Sequence, residues 1–158
     1  MAHVRESLAV AATADSVYDL VADLPRMGEL SPECERVTWR GGATSAAKGA
    51  QFLGYNKAGS IRWVTQGEVV TAVRGRHLAF EIRFGPLNIA SWEYFIVPDD
   101  ADPLSCTVVE EWTDRRPGWY AGPADKAFGP RARTNRRGME KTLANLKLAA
   151  EACGRQVV

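Results

Sequence analysis

Five polar side chains interrupt an otherwise apolar face that runs through the predicted strands and the last predicted helix. They are Asn56, Thr65, Tyr94, Glu110 and Asn135. Glu110 is the unusual member, because it lies among tryptophans and valines, where desolvation favours the neutral form of a carboxyl group. Unless an arginine or Asn135 compensates, such an acid suits a proton donor or acceptor. We predict Glu110 and Tyr94 as a catalytic pair, with Asn56 and Asn135 as polar anchors.

Two alternatives to an inward-facing Glu110 remain open. A position at a strand end leaves the Glu110 carboxyl group in water, and a one-residue β-bulge exchanges its direction with that of Glu111. The sequence alone does not choose which of these two acids faces inward.

The walls around the polar groups are predicted to be aromatic and aliphatic. Strand alternation places every second side chain on one face, and four of the five tryptophans share that face. Small-molecule sites typically combine such walls with a few convergent polar groups. The predicted ligand-binding residues are Asn56, Trp63, Thr65, Phe80, Ile82, Trp92, Trp112, Asn135 and Met139.

The elements that must position these residues follow from periodicity. Residues 4–11 predict a strand, Thr13 caps a helix, and Pro25 ends that helix before a short helical turn at 27–30. From 35 to 114 the period is two, in six runs whose short, glycine- and proline-rich connections join antiparallel neighbours. An apolar stripe from Phe128 to Cys153 predicts one long C-terminal helix. We therefore predict a single α+β domain over residues 1–158.

Composition limits the function classes. The chain has 158 residues, a net charge of +1 and 46% hydrophobic residues, which is typical of one globular domain. Its three cysteines form no CxxC pair, which favours a reducing, cytoplasmic setting, and no segment predicts export or a membrane span. Neither His3 nor His77 has a cysteine or carboxylate at the sequence spacing of a catalytic or metal-binding motif. We expect no hydrolytic triad, no metal site and no cofactor.

A basic stretch, residues 126–137, holds five positive charges and no acid. It is either a solvated helix face or a surface for nucleic acid, anionic lipid or an acidic carrier protein. The nearly neutral net charge argues against nucleic acid. The neighbouring aromatic residues Trp119, Tyr120 and Phe128 predict either a pocket lip or ordinary core packing at a helix start.

These segments together resemble the START/Bet v 1-like (SRPBCC) superfamily, and specifically its bacterial polyketide cyclase/dehydrase-like branch. The resemblance rests on ATADSVYDLVADLPRMGELSPECERVTW, AQFLGYNKAGSIRWVTQGEV, ASWEYFIVP, CTVVEEWTDRRPGW and TNRRGMEKTLANLK, which cover most of the chain. It implies a helix-grip fold, in which a curved antiparallel sheet of about seven strands (β-α-α-β6-α) wraps around the long helix. A deep apolar cavity is expected between them.

The resemblance also implies a hydrophobic ligand, either a polyketide, a lipid or an aromatic molecule. In the enzyme hypothesis, a cofactor-independent cyclase, aromatase or dehydratase folds a poly-β-keto chain and exchanges protons with it through Tyr94 and Glu110. Asn56 and Asn135 then orient carbonyl oxygens, and an acyl carrier protein is the partner that suits residues 126–137. In the alternative hypothesis, the pocket belongs to a non-catalytic lipid or aromatic carrier. The sequence does not distinguish a monomer from a homodimer.

Overall fold

Seven strands form one antiparallel sheet in the computed structural model, which describes residues 2–155. The strands are β1 His3–Val10, β2 Cys34–Arg40, β3 Gln51–Ala58, β4 Ile61–Val73, β5 His77–Phe84, β6 Leu87–Pro98 and β7 Cys106–Asp114. The helices are α1 Ala14–Ala22, a 3₁₀ helix Leu24–Glu29, α2 Gly118–Phe128 and α3 Arg131–Arg155. The predicted α+β helix-grip fold is confirmed.

The sheet is the predicted meander with one addition. Its strand order is β1-β7-β6-β5-β4-β3-β2, so β2 to β7 are consecutive neighbours and β1 returns to the free edge of β7. The hairpins turn at glycines such as Gly59 and Gly85, whose φ values of 59° and 56° lie in the left-handed region that glycine adopts without strain.

The antiparallel order gives the sheet two distinct ends. At the upper end the β3–β4 and β5–β6 hairpins turn, β7 finishes, and α2 and the start of α3 follow. At the lower end β1 runs into α1, whose N-cap Thr13 accepts a hydrogen bond from the Ser16 amide. Arg74, in the β4–β5 turn, binds Asp15 and Asp19 of α1 at 3.1 and 2.7 Å. These contacts hold α1 against the lower end.

Helix α3 lies over the concave face with one side in water. Its buried residues are Asn135, Met139, Thr142, Leu143, Leu146 and Ala150, at the helical spacing expected of an inward face. On one flank, Lys147 donates to the Ala9 carbonyl of β1. On the other flank, Asn145 donates to the Leu30 carbonyl and Arg131 pairs with Glu33. The helix is therefore fastened to the chain on both sides.

The structure differs from the sequence-based expectation at the upper end. The expected long helix begins at Arg131 rather than at Phe128, because Gly129 has a φ of 83° and Pro130 follows it. Helix α2 was not predicted, since its segment contains prolines and glycines, yet it accommodates Pro123 internally. Strand alternation predicts Ile61 and Phe84 on the inner apolar face, but they are 55% and 46% exposed, because each is the end residue of its strand beside a hairpin turn.

Candidate functional site

Tyr94 and Glu110 form a buried hydrogen-bonded pair on the concave face. The register of β6 and β7 sets them directly opposite each other, and the Tyr94 hydroxyl donates to Glu110 Oε1 at 2.8 Å. Each residue is only 2% exposed. No register shift interrupts β7, so Glu110 faces inward, whereas Glu111 pairs with Arg5 on the other face. The structure brings the two predicted catalytic residues into contact.

Burial controls the proton affinity of this pair. Desolvation raises the pKa of Glu110 to about 8, opposed by the Tyr94 hydrogen bond and reinforced by the negative charge of Glu6. The pKa of Tyr94 is also raised, first by burial and then by the neighbouring Glu110. At neutral pH the Glu110 carboxyl group therefore retains its proton and is available as an acid.

Glu110 Oε2 on β7 and Asn135 Nδ2 on the inward face of α3 are buried and have no hydrogen-bond partner among residues 2–155. Leaving a buried polar atom unpaired costs roughly 1–3 kcal/mol, so native proteins rarely retain one without a role. Tyr94 already occupies Oε1, which leaves Oε2 to carry the proton of the neutral carboxyl group. The concave face of the sheet and the helix over it therefore each hold one unpaired donor, the Glu110 O–H and the Asn135 N–H.

Asn56 and Thr65 form a separate polar cluster on β3 and β4. Asn56 Nδ2 donates to Thr65 Oγ1 and to the Gly54 carbonyl, both at 3.2 Å. Four strand-to-strand steps separate β3 from β7 in the sheet, or about 19 Å along its surface. The sheet is curved, however, and Cys34, the ladder partner of Asn56, acts electrostatically on Tyr94 across the concave face, so this path along the sheet does not separate the cluster from the buried pair. The roles of Asn56 and Asn135 as polar anchors stay predictions.

The predicted aromatic walls extend from the buried pair toward the upper end. Trp112 is 2% exposed and lies 6.5 Å from the Trp92 ring, and Phe80 lies 6.5 Å from the Tyr94 ring. Met139 of α3 packs in the same cluster as Trp112. These contacts place most of the predicted apolar residues around Glu110.

Four predicted ligand-binding residues are only partly buried: Asn56, Trp63, Ile82 and Trp92. All of them lie toward the upper end of their strands, and the Arg131 guanidinium is 6.0 Å from the Trp63 ring. The predicted aromatic wall is therefore partly exposed toward the upper end and buried close to Glu110.

A groove of about 600 Å³ lies at the opposite, lower end. It is lined by residues of 9–11, 97–101 and 105–107 together with Lys147, and it includes none of the predicted site residues. Its lining contains no buried acid and no aromatic side chain, so we do not assign the ligand site there.

Helix α2 presents aromatic side chains to the surface at the upper end. Trp119 and Phe128 are 71% and 79% exposed, and α2 has no buried residue. This excludes core packing for these residues. Three basic residues on the same part of the chain, Lys126, Arg133 and Arg137, are exposed and form no ion pair within residues 2–155. The upper end is therefore both apolar and positively charged.

Glu6 is the site residue that the sequence analysis missed. It lies directly opposite Glu110 in the β1–β7 ladder, on the same face, and its carboxylate binds Arg136 Nη1 at 2.7 Å. The alternation of Val4, Glu6, Leu8 and Val10 in β1 was a usable signal, since it sets Glu6 on the apolar face. Only the structure shows that Glu110 is the residue opposite Glu6 in the sheet.

Two further observations concern metal binding and membrane insertion. Within residues 2–155 no three His, Cys, Asp or Glu side chains cluster in a way that could hold a metal ion. No helix in that range is long and apolar enough to cross a membrane.

The sequence matches the profile of one protein family over residues 1–151, described as polyketide cyclase / dehydrase and lipid transport. No curated protein matches the chain. A solved structure of a polyketide-cyclase-like protein from Corynebacterium glutamicum is 25% identical, with a TM-score of 0.63, and the match covers 94% of this chain and 91% of that one.

Two more distant structures share the fold. A START superfamily protein from Mycobacterium smegmatis is 16% identical, with a TM-score of 0.63 and 99% of both chains covered. The di-domain ARO/CYC protein StfQ from the steffimycin biosynthetic pathway is 14% identical, with a TM-score of 0.72. That match covers 99% of this chain and 52% of StfQ, so this chain corresponds to about one of its two domains.

Proposed function

The chain belongs to the polyketide cyclase/dehydrase and lipid-transport family, and on that premise we propose that it is a cofactor-independent cyclase or dehydratase acting on a hydrophobic, polyketide-like substrate. The observation that carries the proposal is the buried Tyr94–Glu110 pair, 2.8 Å apart, with Glu110 Oε2 and Asn135 Nδ2 unpartnered. A carrier that only needed apolar contacts would have no use for a buried acid, or for an unpartnered buried amide on the helix that covers the sheet. The substrate would reach the pair from the upper end, along Trp63 and Trp92.

The proposed chemistry uses Glu110 as acid and then as base. In the dehydration of a β-hydroxy ketone, Glu110 gives its Oε2 proton to the leaving hydroxyl group, and the C–O bond breaks to release water. The proton lost from the adjacent carbon returns to the Glu110 carboxylate, so the acid is neutral again. Asn135 holds the ketone oxygen, where negative charge develops. Tyr94 donates to Oε1 and thereby directs the proton to Oε2.

Positioning supplies the rest of the rate enhancement. A flexible chain held by the concave face, with its reacting carbons close together, reacts as an intramolecular pair with a high effective molarity. The aromatic residues Phe80, Trp92 and Trp112 provide flat apolar surfaces for this purpose.

The first test is direct detection of a ligand. We expect native mass spectrometry of the purified protein to show a bound apolar molecule of roughly 200–800 Da, the size that such pockets enclose. Added ligand should also change the fluorescence of Trp92 and Trp112. The Trp119→Phe variant is the control, since Trp119 is exposed and its loss should leave that signal intact. A bare protein mass together with unchanged fluorescence on adding hydrophobic ligands would contradict a pocket on the concave face.

We propose further that an acyl carrier protein delivers the substrate to the upper end. Acyl carriers are acidic, and Lys126, Arg133 and Arg137 supply unpaired positive charge beside the exposed Trp119 and Phe128. Charge reversal of the three basic residues to Glu should weaken binding of a phosphopantetheine-bearing carrier by about tenfold or more. Surface plasmon resonance at several salt concentrations measures the loss.

The control is a matched reversal at the lower end. Arg40, Lys48 and Arg76 are also exposed and without an ion pair in the described chain, and reversing them makes the same change in net charge. We expect carrier binding to survive in this variant. Equal losses in both variants would show only non-specific attraction. Unchanged carrier binding in the upper-end variant, combined with lost binding to anionic vesicles, would identify a membrane surface instead.

A further inference from the structure

A second carboxylate lies beside the buried acid. Glu6 and Glu110 are directly opposite in the antiparallel β1–β7 ladder, where Cβ atoms are about 4.5–5.5 Å apart. The two acids differ in environment: the Glu6 side chain is 22% exposed, whereas Glu110 is 2% exposed. Glu6 thus lies between the buried pair and the solvent.

Helix α3 holds this second acid at the surface. Arg136 Nη1 lies 2.7 Å from Glu6 Oε1, and Arg136 itself is 55% exposed in its side chain. The ion pair ties the Glu6 side chain to α3 beside the buried Glu110. Two carboxyl groups side by side, one buried and one in contact with an arginine at the surface, are a common arrangement for proton exchange.

The remaining groups that face Glu110 do not substitute for Glu6. From β6, Tyr94 donates to Oε1, and the buried, unpartnered side chain of Asn135 on α3 is a neutral amide. From β2, the Cys34 thiol acts on Tyr94, and burial raises the pKa of that thiol to about 11, so it is neutral near pH 7. No cation of the described chain pairs with Glu110 itself.

We propose that Glu6, held by Arg136, is the gate through which the buried Tyr94–Glu110 pair exchanges protons with solvent, and hence a positioning residue of the site. Its role in turnover rests on the proposed function, but proton exchange is measurable without substrate. In the exchange step, the O–H bond at Glu110 Oε2 breaks and a new O–H bond forms on the Glu6 carboxylate, directly or through one water. Glu6 then releases that proton to solvent as it pairs again with Arg136.

The test compares Glu6→Gln with Arg136→Met in the ligand-free protein by NMR. Glu6→Gln should slow solvent exchange of the Tyr94 hydroxyl proton, because the acceptor between Glu110 and water is lost. It should also lower the pKa of the Glu110 carboxyl group by about one pH unit, since a like charge is removed. Arg136→Met should shift that pKa upward, because the charge of Glu6 is no longer neutralised. A general loss of structure would not shift the pKa of Glu110 in opposite directions in the two variants. Opposite shifts would therefore come from the ion pair itself.

The control is Glu111→Gln, the next residue along β7, whose side chain pairs with Arg5 on the opposite face. It should leave both the exchange rate and the Glu110 titration unchanged. Unaltered exchange in Glu6→Gln would overturn the gate. Loss of the proposed function is a separate result: if Glu110→Gln keeps full turnover while Glu6→Gln still slows exchange, the gate stands and the catalytic proposal fails.

Discussion

Replacement of Glu110 by Gln should lower turnover of a polyketide-like substrate by about 10²-fold or more, within the range that general acid–base groups contribute. Gln keeps an oxygen that accepts the Tyr94 hydrogen bond and an N–H where the carboxyl proton was, so the pocket shape is preserved. Substrate affinity should therefore change little. Steady-state kinetics together with ligand titration by tryptophan fluorescence separate the two quantities.

The same variant should remove a pH dependence of stability. Because the pKa of Glu110 is raised from 4.5 to about 8, the folded protein keeps a proton that the unfolded chain releases at lower pH. The associated stability is complete below about pH 4.5 and is lost as the pH rises through about 8, by on the order of 5 kcal/mol. Denaturant unfolding at pH 5 and pH 9 should show this decline in the wild type and a smaller one in Glu110→Gln.

Tyr94→Phe provides the companion measurement. Loss of the hydroxyl removes the hydrogen bond that holds the pKa of Glu110 down, so the pH at which stability declines should move upward. A non-catalytic carrier has no turnover, so a substitution can change only its ligand affinity. Equal ligand binding in all variants, with no catalysed reaction in the wild type, would therefore favour the non-catalytic alternative. Identical pH profiles for wild type and Glu110→Gln would contradict a neutral buried acid.

Arg116→Met should cause the largest loss of stability among single changes near the upper end, about 3 kcal/mol. Arg116 donates to both carboxylate oxygens of Asp114, at 2.9 and 2.7 Å, and its side chain is 10% exposed. Burial alone would raise the pKa of Asp114, but the hydrogen bonds and charge of Arg116 hold it below its usual value. Without Arg116, the buried Asp114 carboxylate at the end of β7 loses the cation that donates two side-chain hydrogen bonds to it. Thermal and denaturant unfolding measure the loss.

Arg116 also fastens helix α2, because Nη2 binds Asp125 Oδ1 at 3.0 Å. The variant should therefore expose residues 118–128 to limited proteolysis at temperatures where the rest of the chain stays folded. Arg115→Met is the matched control: Arg115 is exposed and donates to Ser91 Oγ at 3.0 Å, so its loss should cost about 1 kcal/mol or less.

The double variant Asp114→Asn/Arg116→Met checks the cause of this loss. It removes the buried charge as well as its partner, so it should recover part of the stability lost in Arg116→Met. A double variant as unstable as the single one would show that packing of the arginine side chain, rather than the unpaired carboxylate, accounts for the effect.

The order of strands and helices was predictable because it depends on local signals, whereas the helix-grip arrangement of these elements was what the family resemblance implied. Alternation in the strands, glycines at hairpin turns, Thr13 as a cap and the apolar stripe of α3 each act over a few residues. The inward direction of Glu110 was predicted from the same alternation, but the competing bulge was not excluded. Continuous pairing of β7 with both β1 and β6 is what sets its direction. Helix α2 was missed because its proline and glycine content outweighs any periodicity in eleven residues.

The sequence by itself determined the periodicity, the number of strands, the inward helix face and the presence of a few polar groups among aromatic ones. These follow from the alternation of side chains in strands and the 3.6-residue turn of a helix, which need no distant contacts. Only the tertiary structure decided which polar groups meet. The addition of β1 beside β7 brings Glu6 to Glu110, and the pairing of β6 with β7 brings Tyr94 to it. Strand order and register depend on packing between residues far apart in the chain, and alternation within one strand carries no information about its neighbour.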